Sequence, residues 1–448
     1  MPGIQGIETI VVLMLENRSF DNVLGHLRHP SYGNRSEVDG LVDPNDTTAY
    51  DNFYNRRRYK PFGTADEELR TDLPHERDTI AEQLDVKNGR PTMRGFVRSY
   101  VNATGNVVQK PPPMGFITPK WLPVTGFLAE HYLVCNRWFS PLPTGTQPNR
   151  AMAFTGCSLI DDNVKGFIPC RDLVFDWLER KNVRWRVYHH GFPFFMLFSG
   201  SLDHVLSDRF RSIRYLAPDM QSEPLDQTPQ VIFIEPEYAD SPVHFGFTPN
   251  DNHPPLAMGP GEVLLREVYE ALTRNPEKWK RTMLIVTYDE HGGYFDHVKP
   301  PAIRTDPPQG AQYKGGAFEH LGVRVPTLIV SPWVAPRSVH DGLFDHTSIL
   351  QLLAEQFGGG ADDYSSEVTA RRAKGIRSAS EVIDLSAPRT DVPQAPLGVI
   401  RTTSYVASGA HGPVNDDQSA FVAAARSVRA HDQRRALDKY PELAHLPD

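Results

Sequence analysis

The stretch Thr282–Val298 constrains the fold more than any other part of this chain. Its apolar core, Met283–Thr287, is rich in β-branched residues and is typical of a strand buried on both faces of a parallel sheet. The run ends in the Asp-Glu-His sequence Asp289–His291, beside the pair Gly292–Gly293. Ligand and metal sites of open α/β sheets lie just outside the carboxyl ends of strands. Adjacent carboxylates there are costly unless a cation offsets their charge, and a divalent ion is the usual solution.

A second apolar run near the start of the chain ends in similar side chains. Ile10–Leu15 predicts another core strand, and an acid and an amide follow it directly. If the two strands are neighbours, the predicted metal ligands are Glu16, Asn17, Asp289 and Glu290. Taken singly, each motif is more simply explained as a helix N-cap or a surface carboxylate, because short motifs match by chance. Two such motifs in one chain, each after an apolar strand, favour a metal site.

Composition and charge restrict the classes of partner. Among the 448 residues, 47 basic and 55 acidic side chains give a net charge of −8. The long-range field of such a surface does not attract nucleic-acid phosphates, so no nucleic-acid partner is predicted, although a local basic pocket remains compatible with it. No apolar run approaches the roughly 20 residues of a transmembrane helix, so no transmembrane segment is predicted. The sequence predicts no particular oligomeric state.

The cysteines and the N-terminus bear on the compartment. Cys135, Cys157 and Cys170 lack the spacing of a metal site, and their odd number argues against a disulfide framework. Glu8 and Glu16 bracket the only apolar run near the N-terminus, and no small-residue cleavage site follows it. We therefore expect reduced thiols, no signal peptide and a cytoplasmic location.

Strand-like and helix-like segments alternate along most of the chain. Further buried strands are predicted at Gln230–Ile234 and Val325–Val330, and helices at Gly261–Arg274 and Ile349–Phe357. Such alternation predicts an α/β protein, a three-layer α/β/α sandwich with a mainly parallel central sheet.

We expect one main domain over residues 1–375. Residues at about 26–110 form a predicted loop insertion, and the run Arg56–Arg58 within it is more simply a solvated stretch than a phosphate clamp. Residues 376–448 are predicted to be a C-terminal wrapping segment. It includes a long basic helix, Ser419–Lys439, that is expected to pack at the periphery.

A hydroxyl nucleophile is predicted in the proline-rich loop that leads into the apolar run Ala151–Thr155. Thr144 and Thr146 are the candidates. The N–H groups and the dipole of a helix N-terminus favour an anion there, whether a phosphoryl group or an alkoxide. The alternative for either residue is an ordinary N-cap or turn threonine.

Oxygen ligands, a hydroxyl and several loop histidines together describe metal-assisted phosphoryl transfer. In such a reaction the metal activates the hydroxyl, the threonine attacks phosphorus, and a histidine protonates the leaving alcohol. His253 is the predicted acid/base because its loop lies between two strand ends, against the alternative that it is a structural histidine. All-oxygen ligation suits one divalent ion, Ca²⁺, Mg²⁺ or Mn²⁺.

The order and content of these motifs resemble the phosphoesterase family, which holds bacterial phospholipases C, plant non-specific phospholipases C and related acid phosphatases. The resemblance extends over most of residues 4–357. The segments that carry it are Glu16–Asp21, Thr146–Arg150, Asn250–Pro254, Asp289–Gly293 with Asp296–His297, and Asp345–Ser348.

The resemblance implies an alkaline phosphatase-like sandwich and a role for each site residue. The predicted metal ligands are the four named above, and Thr146 occupies the family's hydroxyl position. Asn149 and Arg150 would fix the threonine loop, and His253 would be the acid/base. The resemblance also implies that three further histidines line the pocket: His75, His291 and His346.

Two departures from the family pattern bear on the substrate. The export signal and C-terminal β-domains of the secreted bacterial enzymes are not visible here. Arg94 stands where the family segment Gly-Lys-Met-Asp-Gly-Phe has aspartate, which is expected to alter headgroup preference. The predicted function is therefore a metal-dependent phospholipase C that acts through a phosphothreonine intermediate on a phospholipid or other phosphate ester, with transient membrane contact. The alternatives are an acid phosphatase-type phosphomonoesterase and a non-catalytic binding module.

Overall fold

A computed structural model describes residues 4–65, 72–244, 248–397 and 415–446 of the chain. The strands are β1 (Thr9–Leu15), β2 (Asn52–Tyr54), β3 (Arg57–Tyr59), β4 (Phe62–Thr64), β5 (Gly115–Ile117), β6 (Leu133–Cys135), β7 (Trp185–His189), β8 (Phe210–Ser212), β9 (Val231–Glu235), β10 (Thr282–Tyr288), β11 (Leu328–Val330) and β12 (Val339–His340). The helices are α1 (Phe20–Val23), α2 (Arg77–Leu84), α3 (Phe96–Thr104), α4 (Pro123–His131), α5 (Thr146–Thr155), α6 (Val174–Arg180), α7 (Leu202–Leu206), α8 (Leu216–Ser222), α9 (Gly259–Thr273), α10 (Pro276–Trp279), α11 (Thr347–Phe357), α12 (Ser366–Ala373), α13 (Asp416–His431) and α14 (Gln433–Lys439).

The central sheet has the strand order β12-β6-β11-β10-β1-β9-β7-β8. Strand β1 pairs in parallel with both β10 and β9, and the pairs β9–β7, β7–β8 and β6–β12 are also parallel. Only β11 runs against its two neighbours in this sheet. The predicted mainly parallel α/β sheet is therefore confirmed.

The register of β1 and β10 brings the two polar motifs together. Ile10 pairs with Met283 and Leu15 with Tyr288, and every residue of both strands is buried. The chain leaves both strands at the same edge, where the backbone N–H of Asp289 donates to the Leu15 carbonyl at 3.1 Å. The two strands are therefore neighbours, which is the condition for the predicted metal site.

Helices form the outer layers of the sandwich. Helix α9 packs against α4, α8 and α10, whereas α5 packs against α11, and α11 against α12. The α9 and α4 pair is fixed by Glu262, a fully buried carboxylate that accepts hydrogen bonds from the backbone N–H groups of Val124 (2.6 Å) and Thr125 (3.0 Å). It satisfies donors that the first turn of a helix leaves without a partner.

Two predicted segments differ from the observed ones. The predicted loop insertion at about 26–110 contains the strands β2, β3 and β4 and the helices α2 and α3. The single C-terminal helix is two helices, because Asp432 ends α13 and its side chain caps α14. In the described part of the chain, no helix has both the length and the apolar composition needed to cross a bilayer.

Candidate active site

The two strand ends are joined by one buried cation. Arg150 is fully buried; its Nη2 lies 3.1 Å from Glu16 Oε1, and its Nε donates to Asp289 Oδ2 at 3.2 Å. The guanidinium also stacks on the rings of Phe194 and Tyr238, with its carbon 4.6 and 5.1 Å from their centroids. Burial raises the pKa of Glu16 and of Asp289, and the charge of Arg150 opposes that rise in both.

The turn after β1 has a backbone that few residues adopt. Asn17 has φ 61°, a left-handed conformation that asparagine tolerates better than most residues. Its backbone N–H donates to Asp289 Oδ1 at 3.0 Å. A Cβ at Gly292 would lie only 2.0 Å from the Asn17 carbonyl oxygen, so this close approach requires glycine.

Glu290 retains an oxygen atom that the protein does not satisfy. Its Oε2 accepts from the Gly292 backbone at 2.8 Å and lies 3.2 Å from His291 Nδ1. Its Oε1 is buried without a hydrogen-bond partner in the described part of the chain. Burial raises the pKa of Glu290, but His75 and His291 outweigh it and the net pKa is lowered. An ionised, buried and unpaired oxygen is costly in a protein alone and fits a metal ligand.

The donor set as a whole fits a hard cation. Three buried carboxylates and the Asn17 amide oxygen are the oxygen donors that Ca²⁺, Mg²⁺ and Mn²⁺ accept. Arg150 and the His75 ring supply two positive charges beside these three carboxylates, and a divalent ion would offset the negative charge that remains. That all four side chains bind one ion remains a prediction.

Thr146 is the first residue of α5 and lies beside these side chains. Its Oγ1 donates to Asn17 Oδ1 at 3.4 Å, and Gly145 precedes it in an extended conformation. Arg150 follows one helical turn later, so both residues project from the same face of the helix. Thr144 instead donates to the Asp161 carbonyl at 2.8 Å, and no contact between its side chain and a predicted metal ligand is observed. Of the two candidates, only Thr146 has its hydroxyl directed at the cluster.

Asn149 holds the loop that precedes the helix. Its Nδ2 donates to the carbonyls of Leu142 (3.1 Å), Thr144 (2.8 Å) and Gly145 (3.0 Å), and its Oδ1 accepts from the Leu142 N–H at 2.9 Å. One amide side chain thus satisfies four backbone groups of a turn that has no regular structure. These hydrogen bonds hold the loop in place, and the role of Asn149 in the reaction remains a prediction.

His253 and His75 face each other across the site, with ring centroids 6.2 Å apart. His253 Nδ1 contacts the Pro254 carbonyl, which leaves Nε2 3.9 Å from Asp240 Oδ2. Burial lowers the pKa of His253, but Asp240, Asp72 and Asp251 raise it above the ordinary value. Burial also opposes protonation of His75, yet Glu290 and Asp72 raise its pKa to about 10.

The other two predicted histidines use their ring nitrogens within the protein. His291 Nε2 lies 2.7 Å from Gln83 Oε1, and its Nδ1 faces Glu290. His346 accepts from Trp138 Nε1 at 3.1 Å and lies 2.6 Å from the Asp289 carbonyl oxygen. Burial lowers the pKa of His346 to about 4, so this ring is neutral and braces the backbone of Asp289.

A cavity of about 520 Å³ opens beside His75, and its walls are mostly acidic. It is lined by Asp72, His75, Glu76, Arg77, Asp78, Asp161, Asp162, Asn163, Lys314, Gly315, Asn415, Asp416 and Asp417. A second cavity, of about 560 Å³, lies among α8, α9 and the end of α14 and is lined by none of the predicted site residues.

The start of α13 forms one wall of the site, although the sequence predicted a peripheral helix. Asp417 accepts from Gln147 Nε2 at 2.9 Å and Asn163 Nδ2 at 2.7 Å, and Asn415 donates to Asp240 at 3.1 Å. Sequence reasoning missed Asp72, Asp240 and Asp417, and no local motif marks them. The domain boundary at residue 375 remains a prediction.

Two groups of possible metal ligands lie outside the four predicted ones: Asp72, His75 and His253, beside the cavity, and a second group that an arginine explains. Asp21, Asp296 and His297 place ligand atoms within 4.8 Å of one another. Arg324 fills the space between the acids, with Nη2 3.2 Å from Asp21 Oδ1 and Nε 3.2 Å from Asp296 Oδ1. This cluster pins the turn after β1 to the loop after β10.

Comparison with known proteins gives a consistent result. A family model described as "Phosphoesterase family" matches residues 7–358 of this chain. Non-specific phospholipase C3 of Arabidopsis thaliana is 33% identical over 86% of this chain and 75% of its own length. Non-specific phospholipase C1 of the same plant is 34% identical over 79% of this chain and 68% of its own. Phospholipase C B of Mycobacterium tuberculosis (strain ATCC 25618 / H37Rv) is 29% identical over 80% of this chain and 74% of its own length.

Proposed function

Because the chain belongs to the phosphoesterase family and is a hydrolase that acts on phosphate esters, we propose that it is a metal-dependent phospholipase C. It cleaves the bond between phosphate and the glycerol oxygen of a phospholipid through a phosphothreonine intermediate on Thr146. The observation that carries the proposal is the hydrogen bond from Thr146 Oγ1 to Asn17 Oδ1. It sets a hydroxyl at a helix N-terminus, beside a cluster of buried oxygen donors.

The residues that would hold the metal are Glu16, Asn17, Asp289 and Glu290, and the unpaired Oε1 of Glu290 supports that assignment. When bound, a divalent ion lowers the pKa of the hydroxyl and offsets the charge of the phosphate. The charge of Arg150 favours the ionised forms of Glu16 and Asp289, and its contacts orient both side chains for that role. The ligands it contacts are therefore set in position before substrate enters.

Thr146 passes its hydroxyl proton to solvent and attacks phosphorus while the N-terminal N–H groups of α5 face the phosphate oxygens, where the helix dipole favours negative charge. The oxygen of the diacylglycerol takes a proton from His253 Nε2 as its bond to phosphorus breaks. Water then attacks the phosphothreonine and gives a proton back to His253. The bond between Thr146 and phosphorus breaks, and Thr146 takes back a proton from solvent. The products are diacylglycerol and a phosphorylated headgroup.

The charge of the cavity favours a diester over a monoester. A phosphomonoesterase needs extra cations for the second negative charge of its substrate, but the cavity wall has only Arg77, Lys314 and the protonated His75 among seven acids. A diester that carries a neutral or cationic headgroup meets no such requirement. The acidic cavity wall therefore favours phospholipase activity over phosphomonoesterase activity.

Two nitrophenyl esters and one phospholipid test the proposal. We expect para-nitrophenyl phosphorylcholine to be hydrolysed much faster than para-nitrophenyl phosphate, and we expect a chelator to stop the reaction. Phosphatidylcholine should yield diacylglycerol. Preference for the monoester would favour the phosphatase alternative. Absence of turnover on all three substrates with Ca²⁺, Mg²⁺ and Mn²⁺ present would favour a binding module.

A further inference from the structure

The hairpin formed by residues 52–60, called the arginine hairpin below, exposes an unusual set of side chains. Strands β2 and β3 pair in antiparallel fashion, with Phe53 opposite Arg58 and Tyr54 opposite Arg57. Phe53 is 41% exposed, and the side chain of Arg58 is 54% exposed. The guanidinium of Arg94, at the base of the hairpin, lies 5.8 Å from the centroid of the Phe53 ring. An exposed aromatic ring is thus flanked by two cations.

The tip of the hairpin keeps a cation at a conformational cost. Asn55 and Arg56 form the two-residue turn with φ 47° and 65°, the left-handed pattern of a type I′ hairpin. Glycine is the favoured residue at the second position of this turn, and arginine adopts positive φ rarely. Folding alone does not explain an arginine at this position.

The charge of the arginine hairpin is opposite to that of the chain as a whole. Residues 52–60 carry Arg56, Arg57, Arg58 and Lys60 and no acid, whereas the whole chain has a net charge of −8. Lys60 is tied down by the Thr47 carbonyl at 2.8 Å, and Asp51, the acid that contacts Arg58 at 3.4 Å, is buried. Since salt screens charges beyond roughly 8–10 Å, a surface that touches the tip senses the local cations.

The arginine hairpin is fixed to the candidate active site through a short packed path. Asn52 donates to the Met93 carbonyl at 3.0 Å and accepts from the Phe96 N–H at 2.9 Å, which attaches the hairpin to the start of α3. The Phe96 ring packs edge-on against His291, with centroids 6.0 Å apart. A surface that binds the hairpin is therefore held close to the candidate site.

We propose that the arginine hairpin docks the enzyme on the surface of anionic phospholipid bilayers. This inference rests on the proposed function, because a phospholipase must reach lipid in a membrane. Aromatic rings settle at the headgroup level of a bilayer, and basic side chains are attracted to its anionic lipids. Phe53 provides the aromatic ring at the headgroup level, and Arg56, Arg58 and Arg94 provide the basic side chains that contact anionic lipids.

Vesicle binding by the full-length protein tests the proposal. The protein carries Thr146→Ala so that lipid is not consumed, and its cosedimentation is measured with phosphatidylcholine vesicles with and without phosphatidylserine. One variant combines Arg56→Gly with Arg58→Ala; glycine suits the turn, so this hairpin folds. A second variant is Phe53→Thr. The matched control is Arg180→Ala, since Arg180 also contacts one aspartate and its side chain is also 54% exposed.

Each basic side chain near an anionic bilayer strengthens binding about fivefold. We therefore expect the double variant to bind phosphatidylserine-containing vesicles more than about tenfold more weakly. Phe53→Thr should weaken binding to both kinds of vesicle. The Arg180→Ala control should bind as tightly as the parent protein, which carries only Thr146→Ala. Hydrolysis of para-nitrophenyl phosphorylcholine by the protein with Thr146 tests the proposed function separately, and its failure would leave the vesicle result standing.

Three results would overturn the inference. The first is equal vesicle binding by the double variant and its parent, and the second is an equal loss in Arg180→Ala. The third is a double variant that loses binding to single-stranded DNA but not to vesicles, which would make the hairpin a nucleic-acid surface.

Discussion

The hydroxyl of Thr146 donates a hydrogen bond of 3.4 Å to the amide oxygen of Asn17, although 129 positions separate the two residues in the chain. This contact joins the N-terminus of α5 to the carboxyl end of β1. It places the candidate nucleophile against a predicted metal ligand whose backbone N–H is held by Asp289. The predictions below follow from that arrangement.

Removing the Thr146 hydroxyl should abolish turnover. Thr146→Ala is expected to leave no phosphorylated protein after rapid quench of the reaction, whereas Thr146→Ser should retain part of the activity because it keeps a hydroxyl. Thr144→Ala should lose about 1–2 kcal/mol of stability, since it leaves the buried Asp161 carbonyl without its donor, and keep turnover. An inactive Thr144→Ala beside an active Thr146→Ala would reverse the assignment.

Asp289→Asn should lower metal affinity and activity much more than stability. Asparagine keeps the shape, and its oxygen can accept from the Asn17 and Glu290 N–H groups. It removes one charge from the cluster and turns its NH2 group toward Arg150 Nε, which accounts for the stability that is lost. We expect the metal Kd, measured by calorimetry, to rise more than about tenfold. Loss of a residue that only supports a metal ligand already weakens metal binding by about that factor, and loss of a ligand charge should weaken it at least as much. Unchanged metal affinity together with full activity would remove Asp289 from the site.

The effect of His253→Ala should depend on the leaving group. A diacylglycerol alkoxide needs a proton to leave, so phosphatidylcholine hydrolysis should fall by about 10²–10⁴-fold. Nitrophenolate leaves without a proton, so the first-turnover burst of nitrophenol from para-nitrophenyl phosphorylcholine should be nearly retained. Equal losses in both measurements would argue against His253 as the acid.

Asp240→Asn should shift the pH profile of phosphatidylcholine hydrolysis. Burial depresses the pKa of His253, and Asp240 is the strongest of the charges that raise it. Without that charge the imidazolium loses its proton at lower pH, so the alkaline limb of kcat should move to lower pH. An alkaline limb in the same position in both proteins would contradict this assignment.

The ionisation of His297 should make the stability of the protein depend on pH. Burial lowers its pKa, but contacts with Asp21 (2.8 Å) and Asp39 (3.3 Å) raise it to about 9. A folded-state pKa above the unfolded value stabilises the protein fully below about pH 6.5 and loses that effect as pH rises through about 9. The difference in unfolding free energy between wild type and His297→Gln should be on the order of 2–3 kcal/mol near pH 6, at about 1.36 kcal/mol per pKa unit. In urea denaturation it should shrink by pH 10; a constant difference would contradict the prediction.

The sequence determined the central strands of the sheet and the polar residues that follow β1 and β10, because those signals are local. In β1 and in β10, the acids follow the apolar run of the same strand within a few positions. The same holds for the helix start at Thr146, where a proline-rich loop meets an apolar run. A strand that is buried on both faces has a continuous apolar sequence, so it can be predicted without knowing which strands it pairs with.

The tertiary structure alone decided which side chains meet. Asp240 faces His253 and is held by Asn415, 175 positions away, and Asp417 closes the same wall. A surface acid has no local signature that distinguishes it from an acid that raises the pKa of a catalytic histidine. That difference arises from desolvation and from distances between segments remote in sequence, which periodicity and spacing do not encode.

The choice between the two threonines shows the same division. Both lie in one loop, two positions apart, and local chemistry suits either. The path of the chain turns Thr144 toward the Asp161 carbonyl and Thr146 toward Asn17. The sequence determined that a hydroxyl stands at this helix start, and only the packing of α5 against the end of β1 decided which one faces the cluster.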